Sequence, residues 1–418
     1  MRWSLRVGRI RSVPVEVHWS FLLLILWMIF QEWDGRVRWT IPQFTLSNLV
    51  TDAALASYVM RALLEGLRGI ALSIGMVILV FACILIHETG HMVHAQALGI
   101  PVRRILLLPF GGLAELARLP ERPRDELRIA LAGPAANLGL GLMFGALAYG
   151  WMLAGDAPVR ETISQTLRGG AGWPLGMLLY LALANFGIAL FNLIPAFPMD
   201  GGRILRSLLA LLLSRLTATR IVSGLSWVFS GAFILLGLGF GERWLIPPSL
   251  GLILLGLFVV LGAGFEKFVD ESRAMLQRIT VRAAVRQPTW TLSPTDNVTP
   301  NLIAAFFLYP ILPVVVGFKV VGLLAKQDLE KALKRARPEA YTVAHIMRTR
   351  YPYLRADEDL WRAQQLLMGA GLTALPVLDG DQLYGVLTIA DIHAARALPP
   401  SSPTADAPTI ISGGNFSV

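Results

Sequence analysis

The stretch ALSIGMVILVFACILIHETGHMVHAQALGI, residues 71–100, sets a charged pentapeptide inside a long apolar run. On a helix, His87 and His91 of the motif His87-Glu88-Thr89-Gly90-His91 fall at i and i+4. Both imidazoles then project from one face, one turn apart. That spacing lets two ring nitrogens bind one Zn2+, while Glu88 lies alongside to take a proton from water. Ionisable side chains at membrane depth are costly and mark functional sites. A chance match on a soluble or interfacial helix is the alternative. His94 shares the helical face of the two histidines and Cys83 lies four residues before His87, but both read as packing or interfacial residues.

The 418 residues are 55% hydrophobic and 16% charged, with a mean hydropathy of +0.58. A soluble globular chain carries about a quarter charged residues. The composition therefore describes a polytopic α-helical membrane protein with a soluble part attached. The net charge of +9 comes almost wholly from arginine, since only five lysines are present. The arginines are scattered among short loops, which suits the flanks of membrane spans and excludes a nucleic-acid surface as the leading interpretation. A single cysteine, Cys83, rules out an intrachain disulfide. No signal peptide is read in the first seventeen residues, which alternate polar and apolar.

Residues 3–18 alternate as a short surface β-hairpin interrupted at Ser12-Val13-Pro14. Six apolar segments follow near 17–33, 71–99, 128–154, 174–196, 221–240 and 245–264, so about six transmembrane helices are expected. The stretch 40–64 suits an amphipathic surface helix. Arg103, Arg104, Arg118, Arg122 and Arg124 follow the second span, and Arg203, Arg206, Arg215 and Arg220 follow the fourth. This bias places both termini in the cytoplasm, in a multi-pass protein of the cell (inner) membrane. Loop 34–68, with four arginines, is the exception.

Beyond Gly264 the composition changes. The transmembrane domain spans 1–264, a charged helical linker 265–277, a tandem repeat 278–396, and a Pro/Ser/Gly-rich tail 397–418 expected to be disordered. In the repeat, TVRAAV at 280–285 matches TVAHIM at 342–347. ILPVVVGFKVVGLLAKQDLEKAL at 311–333 matches ALPVLDGDQLYGVLTIADIHAAR at 374–396. The units, 278–335 and 340–396, form an α/β pair, because one unit alone leaves an apolar face uncovered.

Two histidines leave a tetrahedral zinc site short of a protein ligand. Asn192-Leu193-Ile194-Pro195-Ala196-Phe197-Pro198-Met199-Asp200-Gly201-Gly202-Arg203 supplies a candidate in Asp200, which on sequence alone is equally a helix cap. HETGH in an apolar helix followed by FPMDGGR after a later one closely resembles the site-2 protease family of intramembrane zinc metalloproteases. The resemblance implies that His87, His91 and Asp200 are the zinc ligands and that Glu88 is the general base and proton shuttle. It implies a substrate among single-span membrane proteins, such as a membrane-anchored regulator cut within the bilayer. Segment 105–116, ILLLPFGGLAEL, reads as a surface strand able to pair with extended substrate at Phe110, Gly111 and Gly112, or as a loop with a structural Gly-Gly turn. Asn137, in the family-like motif Ala132-Gly133-Pro134-Ala135-Ala136-Asn137, is either a donor to the developing oxyanion or a helix–helix hydrogen bond.

The repeat resembles a cystathionine-β-synthase-type (CBS) pair, a Bateman module. That likeness implies an adenine nucleotide as ligand, with Asp391 at the ribose and Thr388 near a phosphate. Asp328 takes the equivalent place in the first unit, where Ala325 replaces the threonine. The pair also suits a homodimer contact, and a role restricted to dimerising or docking is the alternative. For the whole chain, a CBS-regulated transporter and a catalytically inactive scaffold are the competing functions.

Overall fold

The computed structural model describes residues 4–23, 25–26, 52–109, 111–154, 175–239, 248–285, 289–299, 302–308, 310–334, 341–396 and 410–412. The chain divides into two compact units, Met1–Lys267 and Phe268–Val418.

The first unit opens with β1 (Ser4–Ile10) and β2 (Val13–His18), antiparallel strands joined at Arg11 and Ser12, both with positive φ. Such a two-residue turn matches the right-handed twist of the strands it connects. The break therefore falls one residue earlier than Ser12-Val13-Pro14 suggests, and Pro14 sits inside β2 opposite Arg9. Helix α1 (Asp52–Ala97) follows, then the hairpin β3 (Val102–Leu108) and β4 (Gly111–Leu116). β2 pairs in parallel with β3, giving a four-stranded sheet in the order β1-β2-β3-β4, with β4 at one edge. Val13, Val15, Ile105 and Leu107 pack together with Met92 of α1. That contact seats the sheet beside the residue next to His91.

The remaining helices of this unit are α2 (Pro123–Ala154), α3 (Leu175–Asn192), α4 (Asp200–Leu209), α5 (Arg215–Leu238) and α6 (Leu250–Leu276), the last of which runs past the unit boundary at Lys267. Among the described residues, five helical segments are long and apolar enough to cross a membrane: Ile74–Ala97 of α1 and α2, α3, α5 and α6. They answer to the second to sixth expected spans. Of the first, residues 20–23 and 25–26 are helical, and the rest lies outside the described residues. The segment 40–64 is helical from Asp52 onward, continuous with α1. Residues 265–276 of the charged linker are helical. They form the last turns of α6, since nothing between Gly264 and Leu276 breaks the helix.

The second unit contains α7 (Val281–Ala284), β5 (Thr289–Thr291), α8 (Leu302–Leu308), β6 (Ile311–Val316), β7 (Lys319–Ala325), α9 (Lys326–Leu333), a 3-10 turn at Val343–His345, β8 (Leu354–Arg355), α10 (Leu360–Ala370), β9 (Ala374–Asp379), β10 (Gln382–Thr388) and α11 (Ile389–Arg396). Its main sheet runs β6-β7-β10-β9-β8. The two repeats exchange their leading segments. Val281 donates to the Glu358 carbonyl at 2.8 Å, and Val343 donates to Asp296 at the same distance. Val281 and Ala284 accordingly join the core of Leu360, Leu375 and Leu387, while Val343 joins that of Leu312, Leu324 and Leu329. Neither repeat closes its core alone, which is the physical basis of the pair. In the tail, expected to be disordered, Ile410–Ser412 form β11, parallel to β5, and its other residues lie outside the described ones. The short β5 edge offers backbone partners, and two isoleucines favour the extended state.

Candidate metal centre

α1 carries His87 and His91 one turn apart, and their rings meet edge to face. Their Nε2 atoms lie 3.1 Å from one another. Asp200 Oδ2 lies 3.1 Å from His87 Nε2 and 3.2 Å from His91 Nε2. Three donors at the corners of a near-equilateral triangle suit one small cation. Tetrahedral zinc with bonds of about 2.0–2.1 Å sets its ligand atoms roughly 3.3 Å apart. Among the described residues, this is the one group of three His, Cys, Asp or Glu side chains close enough to share an ion.

The other ring nitrogens are held from behind. His91 Nδ1 donates to the Ile129 carbonyl at 2.7 Å, and His87 Nδ1 faces Asn137 Oδ1 at 3.1 Å. A carbonyl can only accept, so the proton of each imidazole is drawn to Nδ1 and the Nε2 lone pair faces Asp200. Both acceptors belong to α2, which approaches α1 closely because Gly133 has no side chain. A Cβ there would overlap His91 and His87 Nε2. Gly90 allows the reciprocal approach, since a Cβ on it would come within 2.8 Å of the Ala132 carbonyl.

Asp200 is not the cap of α4. Met199 holds the N-cap position, and the Asp200 side chain turns to the imidazoles instead. The paired glycines let the first turn of α4 press onto the preceding loop: a Cβ on Gly202 would come within 2.6 Å of Ala196, and one on Gly201 would overlap the Leu193 and Ile194 carbonyls. In that loop Phe197 is fully buried and its N–H donates to Ser226 Oγ of α5 at 2.8 Å.

Glu88 is buried beside this triangle, and its Oε2 accepts from the Ala114 N–H of edge strand β4 at 2.9 Å. A Cβ on Gly112 would overlap the Glu88 side chain. Gly111 adopts φ of +144°, a conformation side chains rarely take. Phe110 lies outside the described residues. Of the two readings of Asn137, the helix–helix hydrogen bond is present, and Asn137 Nδ2 is buried without a partner among the described residues. His94 turns to the Gly90 carbonyl at 3.0 Å and Cys83 is buried, neither within the donor triangle.

A buried ion network escapes sequence reading. Arg206 of α4 is 2% exposed, and its Nε and Nη2 contact Glu126 Oε1 of α2. Its Nη1 donates to Glu266 Oε2 of α6 at 2.8 Å. Arg203 donates to Glu266 Oε1 at 3.0 Å, and Arg215 to Glu126 Oε2 at 2.5 Å. These arginines look like ordinary loop charges in the sequence. Only the i, i+3 spacing of Asp200, Arg203 and Arg206 hints that they share a helix side.

In the second unit Thr388 donates to Asp391 Oδ2 through both its N–H, at 2.9 Å, and its hydroxyl, at 2.7 Å. Asp328 is held by Arg348, whose Nε and Nη2 reach its two oxygens at 2.6 and 3.1 Å.

Two histidines one helical turn apart and a distant aspartate could hold a zinc ion, with the neighbouring glutamate placed beside them as a base. Residues 75–238 match the model of peptidase family M50, and residues 343–397 that of the CBS domain. A zinc metalloprotease of Methanocaldococcus jannaschii is 27% identical over 406 residues, 95% of this chain and 97% of that one. Stage IV sporulation protein FB of Bacillus subtilis is 30% identical over 186 residues, 44% of this chain and 56% of that one. A solved structure of a site-2 protease from M. jannaschii matches with a TM-score of 0.38 and 29% identity, over 63% of this chain and 95% of that one. The chain is thus similar over most of its length to zinc metalloproteases, with a peptidase family M50 segment followed by a CBS segment.

Proposed function

We propose that the protein is an intramembrane endopeptidase that hydrolyses a peptide bond within or near the transmembrane segment of a single-span membrane protein. The carrying observation is the convergence of His87, His91 and Asp200 beside Glu88, with Glu88 itself against edge strand β4. His87, His91 and Asp200 hold the ion. When bound, zinc polarises the scissile carbonyl and lowers the pKa of water towards about 7. Glu88 takes the proton of the attacking water and returns it to the leaving nitrogen, and its burial keeps bulk water from competing. β4 ends the sheet, so an unwound substrate segment can add to it as a further strand, placing its backbone next to Glu88. Gly111 and Gly112 keep that approach open, and Phe110 belongs to the same substrate-binding segment. A single-span protein co-reconstituted with the wild type should be cut in or next to its span, with no cleavage by His91→Ala. Cleavage confined to soluble loops would contradict the assignment.

Asn137 positions His87 through the Nδ1 contact. Replacement of such an outer partner weakens metal binding by about 10–100-fold. Asn137→Leu is therefore expected to lower zinc affinity by that factor, measured by chelator competition; wild-type affinity would remove the residue from the site.

The arginine-rich loops support a multi-pass protein of the cell membrane with both termini and the CBS unit in the cytoplasm. Reporter fusions at both ends test this orientation. The CBS unit binds an adenine nucleotide around Thr388 and Asp391, while Asp328, already engaged by Arg348 and lacking a threonine partner at Ala325, contributes little. Nucleotide binding there regulates cleavage, and the unit is also the contact of a homodimer. Titration of the full chain with AMP or ATP should show saturable binding that Asp391→Ala weakens and Asp328→Ala leaves unchanged. No binding at millimolar nucleotide would exclude the sensor role. Crosslinking of full-length protein tests the dimer.

A further inference from the structure

We infer that the buried network Glu126–Arg206–Glu266 is a positioning device for the metal centre, setting the place of Asp200 and the tilt of His91 through one guanidinium. The inference rests on the proposed ligand role of Asp200.

Asp200 is the first residue of α4, and Arg206 lies six residues on, in the same short helix. Met199, at the N-cap, makes no side-chain cap hydrogen bond, so α4 is not anchored at its start in the usual way. Its anchorage comes from the far side. Arg206 bridges Glu126 on α2 and Glu266 on α6, and its guanidinium also lies 4.9 Å over the ring of Phe197, three residues before Asp200. Both flanks of the Asp200 carboxylate are thus tied to the same cation.

The second connection runs through α2. Glu126 stands one helical turn before Ile129, whose carbonyl receives the His91 Nδ1 proton at 2.7 Å. A shift of α2 at Glu126 therefore moves the acceptor that aims His91. Arg206 links the helix that presents Asp200 to the helix that orients His91, without touching either side chain's donor atom. A planar guanidinium can meet two carboxylates at once in fixed directions, whereas an ammonium carries the charge without that geometry. Arg215 adds a contact to Glu126 from α5, and Arg203 one to Glu266, so each carboxylate is held by two guanidinium groups.

The experiment compares zinc affinity by chelator competition in purified full-length protein, well below the unfolding temperature, with Tm recorded for each variant. Glu126→Gln and Arg206→Gln are expected to bind zinc about 10–100-fold more weakly. Arg206→Lys, which keeps the charge and loses the fork, should fall at least severalfold. Gly256→Ala is the packing control. Its Cβ would come within 2.8 Å of the Ser230 carbonyl, ten residues from Glu266 along α6. It should lower Tm and leave zinc affinity within about twofold. If Arg206→Gln does not fold, Glu126→Gln and Arg206→Lys decide. Wild-type affinity in those two variants would overturn the inference, as would affinity that falls in step with Tm in Gly256→Ala as well. Loss of zinc in Asp200→Ala tests the ligand role separately, so failure of one can be told from failure of the other.

Discussion

Replacing Glu88 by glutamine should lower peptide cleavage by about 10²–10⁴-fold while zinc content stays at the wild-type level. The two side chains are nearly isosteric, and the Ala114 N–H that Glu88 Oε2 accepts at 2.9 Å can still be accepted by an amide oxygen. The fold and the donor triangle therefore survive. What is lost is a group able to take a proton from water and pass it on. Burial sharpens the effect, because bulk solvent has no access with which to substitute for the missing base. The check is turnover of a co-reconstituted single-span protein, with metal analysis of the same preparation. Cleavage near the wild-type rate would remove Glu88 from the chemistry; loss of zinc along with activity would make it a structural element of the metal site.

Gly133→Ala separates helix energetics from site geometry. Inside a helix, alanine is favoured over glycine by about 0.8–1.0 kcal/mol. On propensity alone the variant would be more stable. Yet the added methyl would occupy the space of both His87 and His91 Nε2. The helices must separate or the imidazoles must swing away, and either breaks the triangle with Asp200. We expect zinc affinity to fall by at least the 10–100-fold seen for disturbed outer-shell partners, with cleavage falling in parallel. Equilibrium dialysis against zinc, with secondary structure followed by circular dichroism, reads both sides. Wild-type zinc binding in a folded Gly133→Ala protein would mean that α1 and α2 do not approach as described.

The features legible in the sequence are those with local spacing. The i, i+4 pair His87 and His91, the spans around them, and the repeat offset that defines the CBS unit all follow from periodicity along the chain. Asp200 was legible as a candidate but not as a partner, since a cap and a ligand have the same sequence context; the backbone at Met199 separates them. Long-range pairing was not legible. Nothing in residues 13–18 says that β2 will lie parallel to β3, nearly ninety residues on. Nor does a hydropathy pattern distinguish Arg206, buried between two carboxylates, from an arginine that flanks a span in water. The exchange of leading segments between the repeats is likewise invisible, because Val281 and Val343 are interchangeable as apolar residues. Asn137 shows the same limit: its type indicates a hydrogen bond, and only the approach of α2 to α1 reveals His87 as the partner.

The central claim is that His87, His91 and Asp200 hold one zinc ion. Metal analysis of purified protein, wild type beside His91→Ala and Asp200→Ala, tests it most directly. About one zinc per chain in the wild type and a near-complete loss in both variants is the predicted result. A wild type without zinc after metal-replete expression, or zinc retained in Asp200→Ala, would contradict it.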